Sequence, residues 1–385
     1  MTSGPELIYL DHNATTPLDA GVRAAMMPFL GEVFGNPSSI HAVGRRARAF
    51  LDEARERLAR TWGCQPGELV FTSGGTEANN LAVMGAGLAC RERGRHLLVS
   101  AVEHAAVLAP MRWLCDHAGF QITLVHTDPF GRISADDVRR QMRPDTVLVS
   151  VMAANNEVGT LQPVREIGSL CRERGIILHT DAVQWFGKEP VVSIRDFGAD
   201  LVAGCAHKLH GPKGAGVLYI RSPLKLTPML QGGSQENERR AGTENLAGIA
   251  GLVCAFERFG APPVMPRSRL EPLSGRLEQL CLAVEGVRRW GPELPLRLAN
   301  TLAITVEGCD SLSLLAGLDL AGICASSGSA CAVGALKPSH VLSALGASPD
   351  EAGGLVRFSL GRDTLPEEVE MTGRAFEEVA KRVRN

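Results

Sequence analysis

The sequence has no apolar run long enough to span a bilayer, and its first residues lack the basic segment and apolar core of a secretory signal. Its formal net charge is only −2, so electrostatics give no reason to expect a nucleic acid or an anionic membrane as a partner. We therefore expect a cytoplasmic protein that has no direct contact with either.

The cysteines show no pattern of a disulfide framework. None of the ten forms a C-x-x-C pair, and a chain of 385 residues is long enough to fold without disulfide bonds. Most are therefore expected to be small buried residues, with Cys205 and Cys331 as the two candidates for another role. The phosphate-binding pattern G-x-x-x-x-G-K-[ST] is absent as well, as are internal repeats.

Short apolar runs alternate with helical patterns between about residues 45 and 220, which predicts an α/β fold with a mostly parallel sheet. The predicted strands are 69–72, 96–100, 121–125, 146–151, 175–179 and 201–203. After about Gly260 the pattern changes to that of a smaller α+β unit. We expect a large domain over 17–260 and a small domain made of 1–16 and 261–385.

The segment Cys205-Ala-His-Lys208-Leu-His-Gly211-Pro-Lys-Gly-Ala-Gly216 places one lysine between a histidine and a glycine-rich turn, after an apolar run. A lysine held against apolar walls loses hydration, and its neutral amine becomes a nucleophile toward carbonyl compounds such as pyridoxal phosphate (PLP). On this segment alone, a surface turn with solvated lysines is an equal alternative. A metal site of Cys205, His207 and His210 is a further, less favoured one.

A strand ends in Ser73-Gly-Gly75 and a helix begins at Thr76. Free N–H groups and the helix dipole make such a junction suitable for a phosphate, although an ordinary helix N-cap has the same appearance. Further polar residues follow other predicted strands: His104, Asn156, and Asp181 with Gln184. Alone, Asp181 would be a helix cap and His104 a loop residue. Because all these strand ends meet at one edge of the sheet, together they favour one PLP pocket.

Two residues of the C-terminal part have candidate roles. Cys331 ends the motif Ser326-Ser-Gly-Ser-Ala-Cys331, which belongs to a loop over about residues 325–338. This loop has few side chains that could be buried, so we expect it to be mobile and exposed. The thiolate of Cys331 would then be available for chemistry. A tolerated free thiol is the alternative. Arg357 lies on a short strand, where its guanidinium would bind a substrate carboxylate or form a structural salt bridge.

Taken together, these residues resemble the cysteine desulfurases of the NifS and IscS kind, a branch of the class V aminotransferase-like PLP enzymes with fold type I. The resemblance runs nearly end to end. The motifs that carry it include Ile8-Tyr-Leu-Asp-His-Asn-Ala-Thr-Thr-Pro17, Gly35-Asn-Pro-Ser-Ser-Ile-His41, the Lys208 segment and Arg357-Phe-Ser-Leu-Gly-Arg362. The Cys331 segment is similar to that of group I of the family, whose cysteine lies on a long loop.

The resemblance implies a role for each matched residue. Lys208 would bind the cofactor as a Schiff base and act as the base of the reaction. His104 would stack on the cofactor ring, Asp181 would bind the ring nitrogen, and Gln184 would bind the phenolic oxygen. The cofactor phosphate would be bound by Gly75, Thr76 and His207. Asn156 would lie beside cofactor and substrate, Arg357 would bind the substrate carboxylate, and Thr243 would reach the phosphate of the neighbouring subunit of a homodimer. No metal is implied. Cys205 stands where the family usually has a serine that contacts the phosphate, so we expect somewhat looser cofactor binding or a compensating contact.

The implied reaction converts L-cysteine to L-alanine and leaves a persulfide on Cys331. The sulfur would pass to an acceptor protein, such as an iron–sulfur scaffold or a tRNA thiolation enzyme. Alternatives are a selenocysteine lyase, an aminotransferase or lyase on the same fold, and a non-catalytic platform that binds sulfur acceptors.

Overall fold

The computed structural model describes residues 7–328 and 338–384, and Cys331 lies outside them. The strands, in chain order, are β1 Ile8–Tyr9, β2 Leu69–Thr72, β3 His96–Ser100, β4 Gln121–Val125, β5 Thr146–Ser150, β6 Ile177–Asp181, β7 Leu201–Cys205, β8 Gly216–Ile220, β9 Val287–Trp290, β10 Thr301–Val306, β11 Ile323–Cys324 and β12 Val356–Ser359. The helices are α1 Ala20–Met26, α2 Ala42–Trp62, α3 Gly75–Cys90, α4 Ala105–Ala118, α5 Ala135–Gln141, α6 Val164–Glu173, α7 Gln235–Glu238, α8 Leu246–Phe259, α9 Arg267–Leu282, α10 Ser311–Leu320, α11 His340–Ala344, α12 Pro349–Gly353 and α13 Pro366–Arg384.

The main sheet contains seven strands in the order β2-β8-β7-β6-β5-β3-β4. The strands from β4 to β7 pair in parallel, whereas β8 runs antiparallel to both of its neighbours. Strands β3, β5, β6 and β7 are buried throughout, as expected for a sheet covered by helices on both faces. This mostly parallel sheet with flanking helices confirms the predicted α/β fold.

A second, smaller set of strands lies in the C-terminal part. Strands β9, β10 and β12 form an antiparallel sheet, and β1 pairs in parallel with β11. This part has its own apolar core, to which the N-terminal residues Ile8 and Leu10 contribute. Separate cores and sheets support the division into domains over 17–260 and over 1–16 with 261–385, which we keep as a proposal.

The structure corrects several details of the sequence interpretation. Strand β5 ends at Ser150 rather than at residue 151, and β7 extends to Cys205 rather than ending at residue 203. The strand predicted at 175–179 is β6, which begins at Ile177 because Gly175 adopts a left-handed φ of 63° at the turn after α6. The strand also extends beyond residue 179 to Asp181, so Asp181 is the last residue of the strand and does not follow it. The apolar run 298–306, for which the sequence predicts a strand, forms β10 only from Thr301 onward, because the Thr301 N–H closes a turn onto Leu298 O. Strand β8 was not predicted.

No helix within 7–328 and 338–384 has the length and apolar composition needed to cross a membrane.

Candidate active site

One cavity at the carboxyl edge of the main sheet brings together most of the predicted site residues. It is a cleft of about 220 Å³ that is partly open to solvent. The predicted residues that line it are Gly75, Thr76, His104, Asn156, Asp181, Gln184, Cys205, His207, Lys208 and Arg357. The residues around it supply an amine, a carboxylate, an imidazole and a guanidinium, and such a set of converging polar groups is typical of a binding site for a small ligand.

Lys208 lies on the short connection between β7 and the antiparallel β8, which returns the chain across the edge of the sheet. Its Nζ donates hydrogen bonds to two backbone carbonyl oxygens of the N-terminal segment, Asn13 O at 2.5 Å and Ala14 O at 2.7 Å. Burial lowers the pKa of this amine below its usual range, and the nearby charge of Arg357 lowers the pKa further. The neutral, nucleophilic form is therefore more accessible than in a solvated lysine.

The junction between β2 and α3 forms one wall of the cavity. Gly74 lies at the N-cap of α3 and no side chain caps the helix there, so the first N–H groups face the cavity without competition from a cap. A Cβ on Gly75 would lie 2.8 Å from Val183 Cγ2, so only glycine permits this approach of the helix to the turn after β6. The arrangement suits a phosphate.

Cys205 and His207 complete this wall, and both are expected to be uncharged at neutral pH. Burial raises the pKa of the Cys205 thiol to about 11. Burial, with the charge of Lys208, lowers the pKa of His207 to about 4. His207 Nδ1 lies 3.2 Å from the Thr15 hydroxyl, and His210 Nδ1 lies 2.9 Å from Pro17 O. Among residues 7–328 and 338–384, no group of His, Cys, Asp or Glu has the arrangement of a metal site.

Asp181 is held in place from two sides. Its Oδ1 accepts the Val183 N–H at 3.0 Å, and its Oδ2 accepts the amide Nδ2 of Asn79 at 2.6 Å. Gln184 follows in the same turn, and its Nε2 donates to Asn13 O at 2.9 Å. A fixed carboxylate and a fixed amide therefore lie side by side along the cavity.

His104 is the N-cap of α4, and its Nδ1 accepts the Ala106 N–H at 3.0 Å. Because Nδ1 acts as an acceptor in this bond, the ring proton of neutral His104 lies on Nε2. The ring therefore has both a structural function, as a cap, and a free N–H available to a ligand.

Arg357 forms the salt bridge that the sequence left open as one alternative, and it also lines the cavity, whereas its binding of a substrate carboxylate stays a prediction. Its guanidinium forms an ion pair of 2.7 Å with Asp11, and it donates to Asn156 O at 2.9 Å and to Gly328 O at 2.6 Å. Its Nε is buried without a partner among the described residues. The guanidinium thus lies in the cavity wall, oriented by the backbone on either side.

Two predicted residues are not part of this cavity in the described chain. Thr243 is exposed and lines a separate cleft beside Ser73 and Asn245, so its assignment to the site of a neighbouring subunit stays a prediction. Cys331, together with the segment 329–337, lies outside the described residues, so its role also stays a prediction.

The sequence interpretation missed three residues at or next to the site: Asn13 and Asn79, which line the cavity, and Lys188, which lies behind Gln184. Asn13 lies in the quoted N-terminal motif, Asn79 lies one helical turn after Thr76, and Lys188 lies four residues after Gln184. The last two spacings are those of neighbours on one helical face, a signal that could have found them. Nothing in the local sequence indicated that Asn13 would contact residues some 170 positions away.

The chain is similar to known proteins over nearly its whole length. The family model described as aminotransferase class-V matches residues 8–371. A cysteine desulfurase IscS of Dictyoglomus turgidum is 43% identical over 378 residues, which cover 98% of this chain and 95% of that protein. Among solved structures, a NifS-like protein has a TM-score of 0.89 at 34% identity, covering 97% of this chain and 99% of that one. The structure of SspA in complex with cysteine has a TM-score of 0.80 at 33% identity, covering 93% of this chain and all (100%) of that one.

Proposed function

Since the chain belongs to the class V aminotransferase family, we infer that it is a cysteine desulfurase, which converts L-cysteine to L-alanine and transfers the sulfur to an enzyme cysteine. The observation that carries this inference is the convergence of Lys208, Asp181 and Arg357 on one cavity in a chain whose curated relatives are named cysteine desulfurases. An amine, a carboxylate and a guanidinium meet the needs of an amino-acid substrate and an aldehyde cofactor.

The cofactor that the residues fit is pyridoxal phosphate. The uncapped N-terminus of α3 with Gly75 and Thr76 suits its phosphate, with His207 and Cys205 alongside. Asp181 suits the ring nitrogen, and Gln184 suits the phenolic oxygen. When bound, the cofactor supplies an aldehyde that condenses with amines and a ring that accepts electrons.

The protein's own residues bind the substrate and move its protons. Arg357 binds the substrate carboxylate, with Asn156 beside it. Lys208 Nζ takes the proton from the substrate Cα, and burial favours the neutral amine that this step requires. His104 supplies a proton at Nε2, since its Nδ1 is engaged as the cap of α4. These roles follow from the chemistry of each group in the cavity.

Cys331 is the proposed sulfur acceptor within the enzyme. Its thiolate attacks the sulfur of bound L-cysteine, so that an S–S bond forms and the Cβ–S bond breaks. The electron pair of the broken bond stays on Cβ, which takes up a proton to give L-alanine. The sulfur is oxidised, Cβ is reduced, and the enzyme holds a persulfide for delivery to an acceptor protein, such as an iron–sulfur scaffold or a tRNA thiolation enzyme.

The proposal includes a homodimer in the cytoplasm, with Thr243 serving the phosphate of the partner's site. Exposed apolar side chains between α1 and α2 support a surface that a second copy would cover: Met27 is 58% exposed, Leu30 66%, Phe34 77% and Ile40 91%. Their concentration in one short segment is unusual for a monomer. Light scattering should give the mass of a dimer.

The test is to incubate the PLP-loaded protein with L-cysteine and to analyse Cys331 by mass spectrometry. We expect alanine as a product and one added sulfur atom on Cys331. Cys331→Ala should prevent both the persulfide and sulfide release, while leaving the visible absorbance of the bound cofactor. The matched control is Cys324→Ala, at the end of β11, which should retain activity. Unchanged sulfur release by Cys331→Ala would instead support an aminotransferase-like or lyase reaction.

A further inference from the structure

Lys188 is a buried lysine to which the proposed reaction gives no role. Its side chain is only 2% exposed, and it lies behind Gln184 rather than in the wall of the cavity. A buried amine needs hydrogen-bond partners, because its loss of hydration is otherwise costly. The partners here are two side-chain amide oxygens: Gln184 Oε1 and, at 2.8 Å, Asn13 Oδ1.

These contacts determine which way the Gln184 amide faces. An amine nitrogen supplies the two N–H groups that these bonds need in either protonation state, so the carbonyl end of Gln184 faces Lys188. The NH₂ end faces the backbone carbonyl of Asn13, which can only accept, at 2.9 Å. An NH₂ group carries two hydrogens, and the second is left for the cavity that Gln184 lines.

Asn13 is itself held in one orientation. Its Oδ1 also accepts Asn300 Nδ2 at 3.0 Å, and its Nδ2 donates to Thr301 Oγ1 at 2.9 Å. The amides of Asn13 and Gln184 therefore have matching donor and acceptor assignments, with the Lys188 amine between their oxygens. Reversing the Gln184 amide would leave the amine facing a donor and would place two carbonyl oxygens against each other.

We propose that Lys188 is a positioning residue that holds the Gln184 amide in the orientation that presents an N–H, and not the carbonyl oxygen, to the cofactor's phenolic oxygen. The proposal rests on the proposed function, since it needs pyridoxal phosphate in the cavity. A phenolate oxygen accepts hydrogen bonds, so an N–H binds it whereas a carbonyl oxygen repels it. Lys188 thereby acts on cofactor binding without touching the cofactor.

The test is a double-mutant cycle read out by the dissociation constant of PLP and by the wavelength of its visible band. Lys188→Met keeps the length of the side chain but removes the donor, and Gln184→Leu removes the amide. Each single change should weaken PLP binding about tenfold, the value of one hydrogen bond to a charged group. In the Gln184→Leu background, Lys188→Met should have no further effect on either readout.

The matched control is Asn300→Leu, which removes another donor to Asn13 Oδ1 without touching Gln184. It should lower the thermal stability of the cofactor-free protein and leave the visible band unchanged. Additive effects of Lys188→Met and Gln184→Leu would overturn the proposal, as would a band shift in Asn300→Leu equal to that in Lys188→Met. Either result would show that Lys188 only stabilises the packing of the N-terminal segment, through its hydrogen bond to Asn13.

Lys188→Gln serves as a second variant, because it keeps an N–H donor and should bind PLP more tightly than Lys188→Met. If neither variant folds, the amine is needed for the fold itself and the proposal fails. Failure of the proposed function has a different signature, since the unaltered protein would then not bind PLP. A wild-type protein that binds PLP while Lys188→Met binds it equally well contradicts the positioning role alone.

Discussion

Asn79 Nδ2 donates to Asp181 Oδ2 at 2.6 Å, and this bond is the first of a series of buried hydrogen bonds that begins at the cavity. Asn79 Oδ1 lies 3.1 Å from His179 Nε2, and His179 Nδ1 lies 2.8 Å from the Ser150 hydroxyl. Burial lowers the pKa of His179 to about 3, so the ring is neutral and has one N–H. Because Asn79 Oδ1 only accepts, that N–H is on Nε2, and Ser150 donates to Nδ1.

The first prediction concerns this chain of bonds. Asn79→Leu should weaken PLP binding about tenfold, because Asp181 loses a hydrogen bond that fixes the position of its carboxylate in the cavity. Ser150→Ala breaks the far end of the chain and should have a clearly smaller effect. Titration of the cofactor-free protein with PLP measures both. Equal effects of the two substitutions would contradict the idea that Asn79 supports PLP binding through its hydrogen bond to Asp181.

The second prediction separates the two roles of Arg357. Arg357→Lys should raise the KM for cysteine about 10- to 100-fold, because a lysine cannot bind a carboxylate with two parallel bonds, while PLP affinity stays unchanged. Asp11→Asn removes the ion pair but keeps the guanidinium, and should change the KM much less. Steady-state kinetics with cysteine gives both values. A larger effect of Asp11→Asn would assign Arg357 a mainly structural role.

The third prediction concerns Cys205. The protonated thiol is a weak donor, so Cys205→Ser should tighten PLP binding a few-fold, by about the difference between a weak and an ordinary hydrogen bond. Cys171→Ser, at a buried cysteine away from the cavity, is the control and should leave PLP binding unchanged while it lowers stability. Weaker binding by Cys205→Ser would show that the site is shaped for sulfur.

The fourth prediction is a pH dependence of stability caused by Glu103. This carboxyl is fully buried (0% exposed), it accepts the Met152 N–H through Oε1, and its Oε2 has no partner among the described residues. Burial, with the nearby charge of Asp181, raises its pKa to about 8. Its contribution to stability is therefore fully present below the unfolded-state pKa of about 4.5 and is lost as the pH rises toward 8.

Glu103→Gln removes this dependence, since the amide stays neutral. The variant should match the wild type near pH 4.5 and exceed its free energy of unfolding by about 3 kcal/mol at pH 7. Urea unfolding of the cofactor-free protein between pH 5 and pH 8 measures the difference. The exposed Glu92→Gln is the control and should show no such trend. A difference that does not grow with pH would mean that Glu103 is ionised in the folded protein.

The parts of the fold that depend on local patterns could be predicted from the sequence. Strands β2, β3 and β4 have the predicted bounds, because each is a short apolar run between polar turns. Strand β8 was not predicted, and its composition alone could not have given its direction, because a fully buried strand has the same composition whether it is parallel or antiparallel. The direction comes from the short connection that carries Lys208, which only allows a hairpin.

The residues of the site also include some that the sequence could predict and others that it could not. Residues at strand ends, such as His104 and Asp181, could be predicted because parallel topology brings those ends together. Asn13 could not, because its partners Gln184, Lys188 and Lys208 are far away in sequence and no periodic pattern links them. Such contacts depend on how the N-terminal segment packs between the sheets, which is a property of the whole fold.

The pairing of the N-terminal segment also has a consequence for the order of events during synthesis. Residues 8–16 leave the ribosome long before the strands that hold them, since β1 pairs with β11 and His12 N–H donates to Ser359 O. The carbonyl oxygens that accept hydrogen bonds from Lys208 Nζ therefore reach their final positions only after residue 359 has been synthesised. A nascent chain cannot assemble the lysine's surroundings early, so a truncated translation product would lack a complete site for this reactive amine.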